Sequence, residues 1–143
     1  MLAKPSAGWC RLTLGDFTAS ASYLTDIPFE WLRACINGLR YQIPAAFYMD
    51  GEGVEYYIVS DMFSTHIITM HNGSALTRLN VGLEDFSRSL VKDIRDYLDN
   101  WLWWCDRPLN DEQLARRKAM LLDLLAEAEK CLDSYMKECP ENF

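Results

Sequence analysis

Residues 72–101 read NGSALTRLNVGLEDFSRSLVKDIRDYLDNW, and the spacing of apolar residues changes inside this stretch. Asn72-Gly73 is a strong signal for a two-residue hairpin turn, which predicts a strand on each side. From Leu83 onward, apolar residues recur every three or four positions, which predicts an amphipathic helix. The chain therefore passes from strands to helices near Val81.

The Asn72-Gly73 turn also predicts which side chains of this third hairpin face the core. A two-residue turn fixes the register of the strands, and register decides which face each side chain occupies. We expect the face that carries His66 and Ile68 to be buried. The expected partners are Met70 with Ala75, Ile68 with Thr77 and His66 with Leu79.

Two earlier hairpins follow from alternating apolar and polar residues. In the first hairpin, Gly15-Asp16 is the expected turn. In the second hairpin, the expected turn is the loop at 50–53. The predicted pairs of the first are Leu14 with Phe17, Leu12 with Ala19 and Cys10 with Ala21. Those of the second are Met49 with Val54, Phe47 with Tyr56 and Ala45 with Ile58.

Three helices are expected. The first follows Asp26, a plausible N-cap, and ends near Arg40. The second carries the apolar stripe that begins at Leu83 and ends before Pro108. Asn110 and Gln113 form a capping box that opens the third, which spans about 40 Å if it reaches Lys137. Such a helix is longer than a small sheet is wide, so part of it overhangs or meets a partner.

These elements predict one α+β domain over residues 1–143. Strands and helices follow in the order ββαββββαα, which favours an antiparallel sheet of about six strands with helices packed on one face. With 143 residues, half of them apolar, the chain is long enough to bury one core without metal or disulfide bonds.

Composition narrows the class of partner. The formal net charge is −7, with −2 in residues 1–80 and −5 in residues 81–143, so we expect no nucleic-acid partner. No apolar run is long enough for a membrane span, and no secretion signal is visible. Five scattered cysteines without regular spacing favour a reducing compartment, and we expect a cytoplasmic protein.

Residues capable of chemistry are few, and we predict no catalytic residue, cofactor or metal site. His66 is expected to be a core residue and His71 a surface residue beside a turn. A nucleophile made of His66 with Cys10 or Cys35 lacks any supporting motif, and Cys131 and Cys139 show no redox spacing. The acidic loop at 50–53 departs from the pattern of a calcium-binding loop, so a solvated turn is expected.

Trp101, Trp103 and Trp104 are the most unusual feature of the composition. Consecutive helical residues point about 100° apart, so one core stripe cannot bury all three equally. Two interpretations remain open: they seal the junction between helices and sheet, or they anchor a protein partner, since Trp is enriched in binding hot spots.

The segment at 15–26, GDFTASASYLTD, resembles the opening of small uncharacterised bacterial α+β proteins. The resemblance covers about the first third of the chain and implies no catalytic residue. In size and charge the chain is also similar to immunity proteins, which neutralise toxins.

Three functional hypotheses follow. The first is a non-enzymatic domain, of immunity or regulatory type, that binds a protein through an acidic helical face or the tryptophans. The second is a small-ligand-binding domain or enzyme, with a pocket between sheet and helix lined by Tyr23, Tyr56 and His66. The third is a structural homodimer that pairs through the last helix and Trp103 or Trp104.

Overall fold

A computed structural model describes residues 1–138, with side chains described through residue 135. Its elements follow the predicted order, so the α+β class is confirmed. The elements are β1 (Trp9–Leu14), β2 (Phe17–Ser22), α1 (Ile27–Tyr41), β3 (Ala45–Asp50), β4 (Glu55–Ser60), β5 (Thr65–Met70), β6 (Ser74–Leu79), α2 (Leu83–Asp96), α3 (Leu98–Leu102) and α4 (Asp111–Glu138).

The six strands form two antiparallel sheets rather than one. β1 pairs with β2, whereas β3, β4, β5 and β6 form a four-stranded sheet in chain order. The N-terminal segment occupies the other side of β1, because Leu2 bridges Leu12 and the Thr13 N–H donates to the Met1 carbonyl at 2.8 Å. That edge of β1 is therefore occupied by the N-terminal segment and does not pair with the larger sheet.

The first hairpin has the predicted register, with Leu14 opposite Phe17. The second is displaced by two residues, because Val54 belongs to the turn and its carbonyl accepts a hydrogen bond from Gly51 at 2.8 Å. A shift of two residues leaves every side chain on its predicted face. The observed pairs are Met49 with Tyr56, Phe47 with Ile58 and Ala45 with Ser60.

The predicted register of the third hairpin is wrong by one residue. Met70 lies opposite Ser74, so the turn contains three residues, and both Asn72 and Gly73 have positive φ. A shift of one residue exchanges the two faces of a strand. Ile67 is consequently buried, whereas Ile68 and the half-buried His66 lie on the opposite face.

The second predicted helix is divided at Tyr97 into α2 and α3. The capping box of α4 is confirmed: the Gln113 N–H donates to Asn110 Oδ1 at 2.8 Å, and the Asn110 N–H donates to Gln113 Oε1 at 3.1 Å. Asp26 occupies the N-cap position of α1, but its carboxylate makes no capping hydrogen bond and instead pairs with Arg117 at 3.4 Å.

Helices cover one face of the four-stranded sheet. An aromatic group joins three elements there, since Phe47 of β3 lies 4.6 Å from the Phe86 ring of α2 and 5.3 Å from the Trp31 ring of α1. The helix α4 packs on α1 and α2, on their side away from this sheet. Its buried residues, spaced alternately four and three apart, are Leu121, Leu125, Ala128, Leu132 and Tyr135.

Candidate functional site

The tryptophans at 101, 103 and 104 divide between core and surface. Trp101 and Trp104 are buried with ring centroids 5.1 Å apart, and the Trp104 Nε1–H donates to the Thr25 carbonyl at 2.7 Å. Trp103 is 53% exposed. Two of the three are therefore core residues. Trp103 is the one whose ring can reach a partner, and its role in binding stays a prediction.

The structure does not bring Tyr23, Tyr56 and His66 together. Tyr56 lies on the inner face of the sheet, with its ring 6.0 Å from that of Phe17. His66 lies on the other face as a result of the displaced register, and Tyr23 lies beyond the end of β2, with its ring against Gly8. The predicted pocket with these three walls is therefore wrong.

The buried thiols are poorly suited to nucleophilic chemistry. Burial raises the pKa of both Cys10 and Cys35 to about 12, so both remain protonated at neutral pH. Cys35 lies in the core beneath the inner face, whereas His66 lies on the outer side of the sheet. His66 and Cys35 therefore lie on opposite sides of the sheet, and the Cys10 thiol donates to the Ala3 carbonyl at 3.2 Å. Cys131 is half-buried, and Cys139 lies outside the described residues.

In the acidic hairpin formed by β3 and β4, carboxylates accept hydrogen bonds from groups of the same hairpin. Asp50 Oδ1 accepts a hydrogen bond from the Glu52 N–H at 2.7 Å, and Glu55 Oε1 accepts one from the Tyr48 hydroxyl at 2.8 Å. Desolvation and this hydrogen bond raise the pKa of Tyr48. In the described part of the chain, no group of three or more His, Cys, Asp or Glu is placed to hold a metal ion.

The largest unexplained feature is the uncovered side of the four-stranded sheet. Its inner side carries the core residues Phe47, Ile58 and Ile67, whereas the side facing away from the helices carries exposed apolar side chains. We call this side the outer sheet face. Its apolar members are the half-buried Tyr48 and the exposed residues Tyr57, Val59, Ile68, Met70 and Leu76.

Cross-strand pairing makes the outer sheet face continuous. Tyr48 lies opposite Tyr57, Tyr57 opposite Ile68, and Ile68 opposite Leu76, so one apolar row crosses all four strands. The rings of Tyr48 and Tyr57 are 5.2 Å apart, and Leu76 is 67% exposed. Contiguous exposed apolar surface of this kind marks binding sites, whereas isolated apolar residues do not.

Polar and charged residues border this row on both sides. Asp50 lies opposite Glu55 next to the β3–β4 hairpin, and His66 lies opposite Arg78 on the far side of the row. Sequence analysis missed the outer sheet face because it assigned Ile68 to the core. The signal that could have revealed it is the sequence of β4, where Tyr57 and Val59 alternate with Ile58, so both faces of that strand are apolar.

No protein-family model, curated protein or solved structure matches this chain. Among the described residues, no helix combines the length and the apolar character that crossing a lipid bilayer requires.

Proposed function

We propose that this chain is a non-enzymatic binding domain that holds a partner protein on its outer sheet face. The observation that carries the proposal is the apolar row from Tyr48 to Leu76, which none of the helices described within residues 1–138 covers. Aromatic and large aliphatic side chains in the centre of a patch, with charged residues around it, are the usual composition of a protein-binding surface.

Charge supports a partner with a basic region. The hairpin beside the outer sheet face carries Asp50, Glu52 and Glu55, and the whole chain has a formal net charge of −7. Such a field steers a basic partner and makes association slower as salt is added. An immunity-type protein that covers a basic toxin is one version of this role, and the charge is what favours it.

We further propose that the protein acts in a reducing compartment, the cytoplasm. All four cysteines at described positions are free thiols, and two of them lie in the core. Apolar packing rather than disulfide bonds therefore holds these described elements together.

The test compares the wild-type chain with the double variant Ile68→Thr, Leu76→Thr in affinity capture from host lysate. Threonine keeps the strand propensity of both positions while removing most of their apolar surface. The matched control is Trp103→Thr, which removes an exposed aromatic residue outside the sheet. We expect one basic protein to be retained by the wild type and the control and lost with the double variant.

A purified partner then allows two further measurements. Hydrogen exchange of the complex should show protection in β4, β5 and β6, and the association rate should fall as salt rises. Retention of the partner by the double variant would overturn the proposal. Light scattering that shows a homodimer, which the double variant converts to a monomer, would assign the same surface to a second copy of this chain.

A further inference from the structure

A second candidate site is a cavity of about 350 Å³ among the helices. It is formed by the start of α1, the segment at 107–109 and the first turns of α4. Four arginines line it, and we call it the arginine groove. Its arginines are Arg33, Arg107, Arg116 and Arg117.

The charge of the arginine groove contrasts with that of the chain. The groove gathers four of the nine arginines in a chain whose formal net charge is −7. One carboxylate, that of Asp26, lines the groove with them, and Glu112 pairs with Arg116, which leaves a local excess of two positive charges. Like charges brought together in this way repel one another, so their convergence favours a bound anion.

The four arginines differ in the contacts that their side chains make within the chain. Arg117 is fixed: its Nη2 donates to the Trp104 carbonyl at 3.0 Å and pairs with Asp26 at 3.4 Å, and its Cζ lies 4.6 Å from the Phe29 ring centroid. Arg116 pairs with the exposed carboxylate of Glu112 at 3.2 Å. The contacts of Arg116 and Arg117 position one wall of the groove.

Arg33 and Arg107 are the guanidinium groups left to bind a ligand. Within residues 1–138, neither forms an ion pair, and both are exposed. The Arg33 Cζ lies 5.7 Å from the Phe29 ring centroid, so this side chain is held over the same ring as Arg117. A planar guanidinium fork matches the oxygens of phosphate or carboxylate groups.

Apart from Gln113, the remaining walls of the groove are apolar. Phe29 forms part of them and is buried, and Leu109 and Met120 complete them. Arginines together with apolar walls suit a ligand that has an anionic group on an apolar or aromatic body. The volume is at the lower end of the range for small-molecule sites, which excludes large ligands.

We propose that the arginine groove binds a small phosphomonoester. Arg33 and Arg107 hold the phosphate oxygens, Arg116 adds positive charge, and the organic body packs on Phe29 and Met120. A phosphomonoester carries nearly two negative charges and three acceptor oxygens at neutral pH, which fits the excess of positive charge better than a carboxylate does. The inference is independent of the partner proposed for the outer sheet face.

Phenyl phosphate is the probe for this site, with inorganic phosphate and benzoate as comparisons. Calorimetric titration of the full chain should show saturable binding of phenyl phosphate, tighter than that of either comparison compound. Arg33→Gln and Arg107→Gln should each weaken binding by about tenfold or more, the usual effect of losing a charge-assisted hydrogen bond. Arg88→Gln is the matched control, because it removes the same charge from α2, away from the groove.

A second variant separates the two parts of the site. Met120→Ala should weaken binding of phenyl phosphate and leave that of inorganic phosphate unchanged. Absence of saturable binding, or equal binding by wild type and Arg107→Gln, would overturn the proposal. Benzoate bound as tightly as phenyl phosphate would overturn the assignment to a phosphomonoester. Thermal melting of each variant confirms that it is folded.

Discussion

Arg40, near the end of α1, forms an ion pair with Glu127 on α4, 87 residues further along the chain. Arg95 of α2 pairs with Glu129 in the same way, so α4 is held by ion pairs from both helices beneath it. Two acidic residues of α4 are thus paired within the chain.

The apolar stripe of α4 should contribute far more to stability than these ion pairs. Leu125 is fully buried, so Leu125→Ala should lower the free energy of unfolding by about 2–5 kcal/mol. Both partners in each ion pair are partly exposed to solvent, so Glu127→Gln should lower it by less than about 1 kcal/mol. Urea denaturation followed by circular dichroism measures both. Equal losses would contradict the greater contribution of apolar packing.

The adjacent tryptophans provide a matched pair. Trp104→Phe removes the buried donor to the Thr25 carbonyl and should cost about 1–3 kcal/mol of unfolding free energy. Trp103→Phe changes an exposed ring and should stay within about 0.5 kcal/mol of the wild type. Chemical denaturation followed by circular dichroism measures the free energy of unfolding of both variants. A larger loss for Trp103→Phe would contradict the division between core and surface.

Gly38 allows α1 to approach its neighbours closely. An added Cβ there would lie 2.8 Å from Leu83 Cδ2 and 3.0 Å from Ala45 Cβ. Gly38→Ala should therefore destabilise the fold by about 1–3 kcal/mol, although alanine favours helix. Asn37→Ala, at the exposed neighbouring position, should be neutral or slightly stabilising. Thermal melting tests the pair, and a stabilised Gly38→Ala variant would show that the packing can relax.

The buried thiols predict how stability depends on pH. Their native pKa is about 12, against 9.0 for the unfolded groups, so between those values the unfolded chain loses protons that the native chain keeps. Stability should therefore fall as pH rises above 9, by about 1.4 kcal/mol per pH unit for each thiol. Cys35→Ala should reduce this slope by one thiol's contribution. An unchanged slope in urea titrations would contradict burial of Cys35.

Thiol reactivity gives an independent check. In a Cys139→Ser background, a thiol reagent at pH 8 should modify the half-buried Cys105 and Cys131 quickly. Cys10 and Cys35 should react only as fast as the fold opens. Four thiols reacting at one rate would be incompatible with the described core.

Local signals in the sequence determined the order of the elements and several of their details. The register of β1 and β2, the capping box of Asn110 and Gln113 and the stripe of α4 all depend on residues close together in the chain. Periodicity and capping report such short-range geometry directly, so these features could be predicted.

Tertiary structure alone decided the rest. Asn72-Gly73 is compatible with turns of two or three residues, and the packing of Ile67 in the core accompanies the longer one, which places Ile68 outside. The arginine groove joins Arg33 to Arg107 and Arg117, residues from opposite halves of the chain. No local sequence pattern predicts that these arginines lie close together, because their proximity depends on how α4 packs across α1.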